Sequence, residues 1–362
     1  MSLASVEIDD ESSVDIVVLS IGTASLRTSV AVAQGLGVPV EVAVQAIYRA
    51  PALLIRGVAA PLSRKLCATL SEAGLRVAIG DAPPPATLFD VAAHFTDPLS
   101  CSATAAALCR LTGMVEASVL EMLLTPPGVV LGGVSAATVD ALRTALPQGV
   151  ELMISEPMSA RFQLVLDDSA AVIERGVHDE LKSRGIVPLA ARGVVATDLE
   201  HGVAQQIWQR FRRTGALRLV NQAFLRFSVV VGGPAAWTPE QAALLQARAD
   251  IPAAALIHLA GSSFAVEDGL TLDASAQALA AYAAVGLDTT AELTTFRHHR
   301  LEIVRAADHA VLAAQLAAHG LSAPAATLPF TPPEALPETR ARLVRALLEG
   351  AGAEVYLADA DG

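Results

Sequence analysis

The amino-acid sequence predicts an α+β protein: a tandem array of small β-α-α-β-α-β repeats, each a three-stranded antiparallel sheet with helices on one face. The first observation behind this prediction is a recurring pattern: a short apolar run, a glycine followed by valine or leucine, a helix, a second glycine, and an alternating apolar run. The second is a β-like run upstream of each copy. The third is composition, since 53% hydrophobic but only 4% aromatic residues suit the thin cores of small units.

The clearest copy of the pattern is residues 51–79. It opens with a short apolar run and turns at Gly57. The helix that follows carries leucines at four-residue spacing, at Leu62, Leu66 and Leu70. Gly74 stands where a left-handed helix C-cap is expected, and the alternating run after it predicts a half-buried strand.

Two further copies follow the same plan. In residues 128–154, Gly133-Val134 takes the place of Gly57-Val58, and Gly149 is the expected cap. In the copy that starts at residue 191, Arg192-Gly193-Val194 aligns with Arg56-Gly57-Val58. Its helix is predicted to carry one stripe, made of Leu199, Val203, Ile207 and Phe211, and to end at Gly215.

The last two copies lie in the C-terminal third of the chain. In residues 253–293, Gly269 and Gly286 keep the separation of Gly57 and Gly74. The fifth copy ends the chain, with Gly352 as its cap. Upstream of the copies, five runs predict the first strand of each repeat: 15–19, 88–91, 162–166, 227–231 and 301–304.

Two later helices are predicted from their N-terminal signals. Thr238-Pro239-Glu240-Gln241 has the pattern of a capping box with proline at the first helical position. Thr331-Pro332-Pro333-Glu334 is interpreted in the same way. Together with the repeats, these signals predict an acidic N-terminal tail and five domains, with these bounds: tail 1–13, and repeats at 14–81, 86–156, 160–221, 222–295 and 299–358.

The first repeat resembles the C-terminal domain of the bacterial ribosomal stalk protein. The resemblance rests on four segments: Gln34-Gly35-Leu36-Gly37-Val38, Ala50-Pro51, Gly57-Val58 and Leu70-Ser71-Glu72-Ala73-Gly74-Leu75-Arg76-Val77. It covers about 65 residues well, and the later repeats would be degenerate copies. It implies a three-stranded antiparallel sheet with three helices per repeat, used as an interaction module.

The stalk domain's function does not carry over with this resemblance. The family recruits translation factors through a lysine-rich helix surface, and the corresponding positions here hold no basic residue. They are Thr28, Ala31, Pro39 and Val42. Fold alone does not imply function.

Charge and apolar content exclude several classes of protein. The chain has 25 Lys and Arg against 37 Asp and Glu, a formal net charge of −12, which disfavours nucleic acid as the main partner because binding phosphates needs clustered cations. No apolar run reaches the length of a membrane span, and the acidic N-terminus resembles neither a Sec signal nor a transit peptide. Cys67, Cys101 and Cys109 have no CxxC spacing, which predicts buried thiols in the cytoplasm.

A search for catalytic and ligand-binding motifs predicts no cofactor, no metal site and no catalytic residue. Gly132-Gly133-Val134-Ser135 could offer backbone N–H groups to an anion, but the repeat pattern explains it as a turn. His298 and His299 are adjacent on a predicted strand and should point to opposite faces, which makes them a poor chelating pair.

Local arginine clusters and the two tryptophans are the candidate interaction residues. A cationic cluster can pair with acidic groups, and Trp is enriched in interface hot spots. These candidates are Arg210, Arg212, Arg213, Arg218, Trp208, Trp237, Arg297, His298, His299 and Arg300.

The repeat architecture and the lack of a catalytic motif favour a non-catalytic protein–protein interaction scaffold, or an accessory subunit of a larger bacterial complex. Protein partners are expected, and the sequence names none. One alternative is an enzyme or enzyme subunit whose site forms between repeats, since a dispersed site leaves no local motif. A second alternative is a peptide-binding adaptor.

Overall fold

The structure is a computed structural model that describes residues 13–166, 171–189, 193–323 and 327–360. The predicted acidic tail therefore lies outside the described residues, apart from Ser13. The described strands are β1 Ser13–Ser20, β2 Ala52–Ala59, β3 Arg76–Ile79, β4 Leu88–Phe95, β5 Val129–Ser135, β6 Val150–Ser155, β7 Arg161–Leu166, β8 Val194–Glu200, β9 Leu217–Asn221, β10 Phe227–Gly232, β11 Ser263–Leu270, β12 Asp288–Leu293, β13 His298–Ala306, β14 Leu336–Pro337 and β15 Ala353–Asp359.

Thirteen α-helices connect these strands within the same described ranges. They are α1 Leu26–Leu36, α2 Val40–Tyr48, α3 Ala60–Glu72, α4 Cys101–Thr112, α5 Glu116–Leu124, α6 Ala136–Ala145, α7 Ala171–Ser183, α8 His201–Phe211, α9 Pro239–Ala249, α10 Ala253–Leu259, α11 Leu272–Ala284, α12 His309–Ala318 and α13 Glu338–Gly350. None of these helices has the length and the apolar run needed to cross a lipid bilayer.

The predicted fold class is confirmed: the strands form five separate three-stranded antiparallel sheets. In every sheet the first strand of the repeat is central, flanked by the second and third, as in the order β2-β1-β3. All five runs predicted as first strands lie within these central strands. Each central strand is therefore hydrogen-bonded to a neighbour on both of its edges.

The second strand carries the same kink in several repeats. Gly57, Gly133 and Gly269 each have positive φ and each stand three residues before the next helix begins. In the first repeat this is a β-bulge, because Arg56 and Gly57 of β2 lie opposite the single residue Asp15 of β1. Carboxylates on the central strand accept hydrogen bonds there: Asp15 from Gly57 N and Asp90 from Gly133 N, both at 3.0 Å.

In the third repeat, the predicted alignment of Gly193 with Gly57 was wrong. Its bulge residue, three before α8, is Asp198 with φ 58°, and Gly193 instead lies at the start of β8, where its carbonyl accepts from Leu166 N at 2.6 Å. Leu199, predicted on the helix stripe, pairs with Phe162 in the sheet. The glycine pattern misled the alignment because aspartate tolerates the left-handed conformation that the bulge needs. Arg192 lies outside the described residues.

Two other predictions on helix positions were wrong. Thr331-Pro332-Pro333-Glu334 does not start a helix, and α13 begins only at Glu338. Pro333 disfavours the α conformation of the residue before it, so Pro332 cannot be the first residue of a helix. On α3, Leu62 is exposed, and the buried positions are Ser63 and Leu70.

The remaining signals agree with the structure. Thr238 forms a capping box with Gln241 at the start of α9. The predicted caps all have positive φ, namely Gly74, Gly149, Gly215, Gly286 and Gly352. Repeats one, two and four have the full β-α-α-β-α-β order, whereas the described parts of repeats three and five have one helix between the first two strands.

The chain divides into two compact units. The first consists of Met1–Val91, Ser100–Met122 and Val129–Leu152; the second consists of Ala92–Leu99, Leu123–Gly128 and Met153–Gly362. The first repeat thus belongs to the first unit and the last three to the second, while the second repeat contributes to both. Repeats three, four and five each have a separate small apolar core, centred on Ile207, Tyr282 and Val344 respectively.

Candidate functional site

The first compact unit contains a large groove, with a volume of about 1220 Å³. The end of β1, the start of α1, Arg76 of β3, the last turns of α4 and one face of α6 form its walls. It is lined by Leu19, Ser20, Gly22, Thr23, Ala24, Ser25, Arg27, Arg76, Ala107, Cys109, Arg110, Leu111, Gly113, Met114, Ala137, Asp140, Ala141, Thr144 and Ala145. This volume exceeds the range of roughly 300–1,000 Å³ typical of small-molecule sites.

The floor of the groove exists because α6 presents its small residues there. Ala137, Ala141 and Ala145 recur every four residues and share one helix face, whereas Val139 and Leu142 are buried on the opposite side. An alanine face fills little volume, so space remains above it. The amphipathic pattern of α6 therefore determines both how the helix packs and which side of it is open.

Two buried hydrogen bonds hold the groove walls together. The Tyr48 hydroxyl donates to the carbonyl of Leu111 at 2.6 Å, and the Thr138 hydroxyl donates to the carbonyl of Tyr48 at 2.8 Å. Burial raises the pKa of Tyr48 to about 12, so the phenol stays protonated and remains a donor. These bonds tie α4 and α6 to the end of α2, which makes the groove a preformed surface.

Three arginines line the groove: Arg27 on α1, Arg76 on β3 and Arg110 on α4. All three are exposed, and none forms an ion pair or a side-chain hydrogen bond with any residue that the structure describes. The single carboxylate of the lining, Asp140, accepts a hydrogen bond from Arg143 at 3.1 Å. The groove is therefore positively charged, with its guanidinium groups available to a ligand.

The side-chain chemistry of the groove suits binding. General acid–base catalysis needs a titratable acid or base within hydrogen-bond reach of a substrate. The lining has no histidine, and its one carboxylate is already paired with Arg143. Ser25 caps α1 through Thr28 N, so this hydroxyl is occupied as well. Apart from the Cys109 thiol and the hydroxyls of Ser20, Thr23 and Thr144, the remaining polar lining consists of guanidinium groups around an apolar floor.

A second cavity, of about 50 Å³, lies within the second compact unit. Its polar lining includes His94, Arg226, Asp268, Glu338 and Arg342. These groups bond mainly to one another and to their neighbours. Ser228 donates to Asp268 at 2.5 Å, His299 contacts Glu338, and the backbone N–H of Arg226 donates to Thr295 at 2.6 Å. This volume has room for about three to five water molecules.

The structure engages most of the predicted interaction residues in contacts with other parts of the chain. Arg210 pairs with Glu180, Arg212 lies 5.8 Å from the Trp208 ring centroid, and Trp208 packs on the core of the third repeat. Arg218 lies on β9, half-buried and partnered, while Arg213 is exposed.

The fourth-repeat tryptophan and two of the four residues at positions 297–300 are also engaged within the chain. Trp237 donates its indole N–H to the carbonyl of Leu256 at 2.7 Å. Arg297 pairs with Glu292 at 2.9 Å and Asp359 at 3.5 Å. His299 is buried against Glu338, whereas His298 and Arg300 are exposed on the opposite face of β13, as their adjacency predicts.

The other sequence candidates have structural explanations. Gly133 N already donates to Asp90, which leaves this turn without a free N–H at that position. Cys101 is buried, and burial raises its thiol pKa to about 11, whereas Cys67 and Cys109 are half-buried. No group of three or more His, Cys, Asp or Glu side chains in the described ranges is arranged to hold a metal ion.

The sequence analysis missed all three groove arginines. They lie on three different elements, and no local motif joins them. The only signal that could have suggested the site is the alanine spacing of α6, which predicts a helix face too small to fill its surroundings. Comparison with protein-family models, with curated proteins and with solved structures found no match to this chain.

Proposed function

We propose that the protein is a cytoplasmic, non-catalytic interaction scaffold or an accessory subunit of a larger bacterial complex, and that a protein partner docks in the groove of the first compact unit. The observation that carries this proposal is the groove itself. It is open, larger than a typical small-molecule site, and lined by an alanine face and unpaired arginines. Such a surface can receive a chain segment from another protein.

The rigidity of the groove supports the same proposal. Its walls are joined by buried hydrogen bonds from Tyr48 and Thr138, so little ordering entropy is lost when a partner binds. The enzyme alternative needs a substrate-sized polar site. The polar cavity of the second unit, at about 50 Å³, is far below that size.

The test blocks the groove and measures partner stoichiometry. In Ala141→Trp the indole fills the space above α6. The matched control is Ala106→Trp on α4, an exposed alanine outside the groove. Each full-length protein, carrying an affinity tag, is purified from its native host, and the mass of the complex is measured by light scattering.

The wild type and Ala106→Trp should both purify with a partner at fixed stoichiometry, and Ala141→Trp should retain less than about a tenth of it, since a loss of 1.4 kcal/mol weakens binding tenfold. A wild-type protein that purifies as a lone monomer would contradict the scaffold. Full retention by Ala141→Trp would exclude the groove as the docking site. Circular dichroism checks that both variants are folded.

A further inference from the structure

The sign of the charge in the groove is opposite to that of the whole chain. The chain has a formal net charge of −12, yet the groove presents three unpaired guanidinium groups and one carboxylate that Arg143 already binds. Like charges repel one another, and a surface region of one sign attracts a ligand of the opposite sign. An anionic ligand would therefore be attracted to this groove.

The capping of helix α1 limits what the backbone near the groove can offer to an anion. Helix α1 begins there, but the Ser25 side chain already accepts from Thr28 N in a capping box. Selectivity for an anion would therefore come from the arginine side chains. Guanidinium groups bind carboxylates through paired N–H donors in a fixed fork, which gives them both affinity and orientation.

The space between the arginines is apolar. Ala137 and Ala141 form the floor, and Leu111 lies buried beneath the surface. Leu19 and Met114 line the groove with 45% and 41% of their surface exposed. A ligand that contacts this floor needs aliphatic side chains as well as negative charge, and burying them adds roughly 25 cal/mol per Å².

We infer that the groove binds an acidic segment of a partner protein, in which several Asp or Glu residues alternate with aliphatic residues. The carboxylates would pair with Arg27, Arg76 and Arg110, and the aliphatic side chains would lie on the alanine floor. This inference rests on the proposed function and names the chemistry of the partner.

The lining also argues against nucleic acid as the occupant. Single-stranded nucleic acid binding relies on aromatic side chains that stack on bases, and the groove lining contains none. Three cations within a chain of net charge −12 are few for a polyanion, whose binding scales with the number of phosphates neutralised. A short acidic segment requires only as many cations as it has carboxylates.

The experiment measures the binding of three labelled probes to the full-length protein by fluorescence anisotropy. Two are synthetic peptides of equal length, one that alternates Glu with Leu and one in which every Glu is replaced by Gln. The third is a single-stranded oligonucleotide. The groove variant is Arg76→Glu with Arg110→Glu. The matched control is Arg64→Glu with Arg213→Glu, two exposed arginines outside the groove, so the net charge changes equally.

The acidic peptide should bind at least about tenfold more tightly than the Gln peptide, and the groove variant should lose about tenfold while the control loses less than about twofold. Equal binding of the acidic and Gln peptides would overturn the inference, yet the stoichiometric partner of the proposed function could still be found. Tighter binding of the oligonucleotide would also overturn it. So would self-association that disappears in the groove variant, which would make a second copy the occupant.

A second measurement locates the bound peptide without altering any arginine. Cys109 lines the groove and is half-buried, whereas Cys101 is buried. In a Cys67→Ser background, the acidic peptide should slow alkylation of Cys109 several-fold, and the Gln peptide should leave the rate unchanged. Binding of the acidic peptide with no protection of Cys109 would place the site elsewhere and overturn the inference.

Discussion

Two sets of arginines in this protein differ in whether their side chains interact with other residues of the chain. Those of the third repeat are close in sequence and are engaged within it: Arg210 pairs with Glu180, and Arg212 lies over Trp208. Those of the groove come from three elements and have no partner among the described residues. The difference shows that a cluster of arginines along the chain does not by itself mark charge available to a ligand, whereas the groove arginines are brought together only by the fold.

The reason is geometric. Neighbours on α8 share a short length of helix, and they face α7, which carries Glu180 within reach of both Arg184 and Arg210. In the groove, the arginines surround an alanine face that offers no acceptor. Charge that lies beside an acid stabilises the fold, and charge that lies beside small apolar residues remains available for a ligand.

The largest effect on stability should come from the carboxylate of the third-repeat set. Glu180 is buried and accepts from Arg184 Nε at 2.8 Å as well as from Arg210. Glu180→Ala should lower the free energy of unfolding by about 2 kcal/mol, because charged hydrogen bonds are lost. Asp140→Ala, which removes the exposed groove carboxylate, should change it by less than about 0.5 kcal/mol. Urea unfolding, monitored by circular dichroism, measures the free energy of unfolding of both variants. Equal losses of stability would contradict the difference between the two sets of arginines.

An intermediate effect on stability is expected when the arginines themselves are replaced. Arg210→Ala should lower the free energy of unfolding by about 1 kcal/mol, since Glu180 keeps Arg184 as a partner. Arg110→Ala should cost less than about 0.5 kcal/mol, because no described residue depends on this side chain. The same unfolding curves give both values. A loss for Arg110→Ala as large as that for Arg210→Ala would mean that the groove arginine has a structural role.

Sequence patterns predicted most of the fold because its signals are local. The β-like run of each central strand, the capping box at Thr238 and the glycine caps each depend on a few neighbouring residues. The third repeat was misaligned where Asp198 adopts the backbone conformation that glycine has elsewhere. A residue pattern cannot show this, because the conformation is shared while the residue type is not.

The candidate site could not be predicted in the same way. The groove depends on how α4 and α6 lie against the first repeat, which the buried bonds from Tyr48 and Thr138 determine. Neither residue belongs to the repeated pattern. The predicted interaction residues remain predictions. Arg213, His298 and Arg300 are the exposed members of that set whose side chains form no hydrogen bond or ion pair with the described residues.

The smallest expected effect on stability is the difference between substitutions of Arg212 and Arg213, the two neighbouring arginines that follow α8. Arg212 lies 5.8 Å from the Trp208 ring centroid, a cation–π contact at an exposed site, so Arg212→Ala should cost about 0.5 kcal/mol. It should also shift the Trp208 emission to longer wavelength, because water replaces the guanidinium over the ring. Arg213→Ala should change neither quantity, since Arg213 is exposed and makes no described contact. Both variants are measured in a Trp237→Phe background, in which Trp208 is the one remaining tryptophan. Identical spectra for the two variants would show that Arg212 is as free as the arginines of the groove, and the contrast between the two sets would then rest on Glu180 alone.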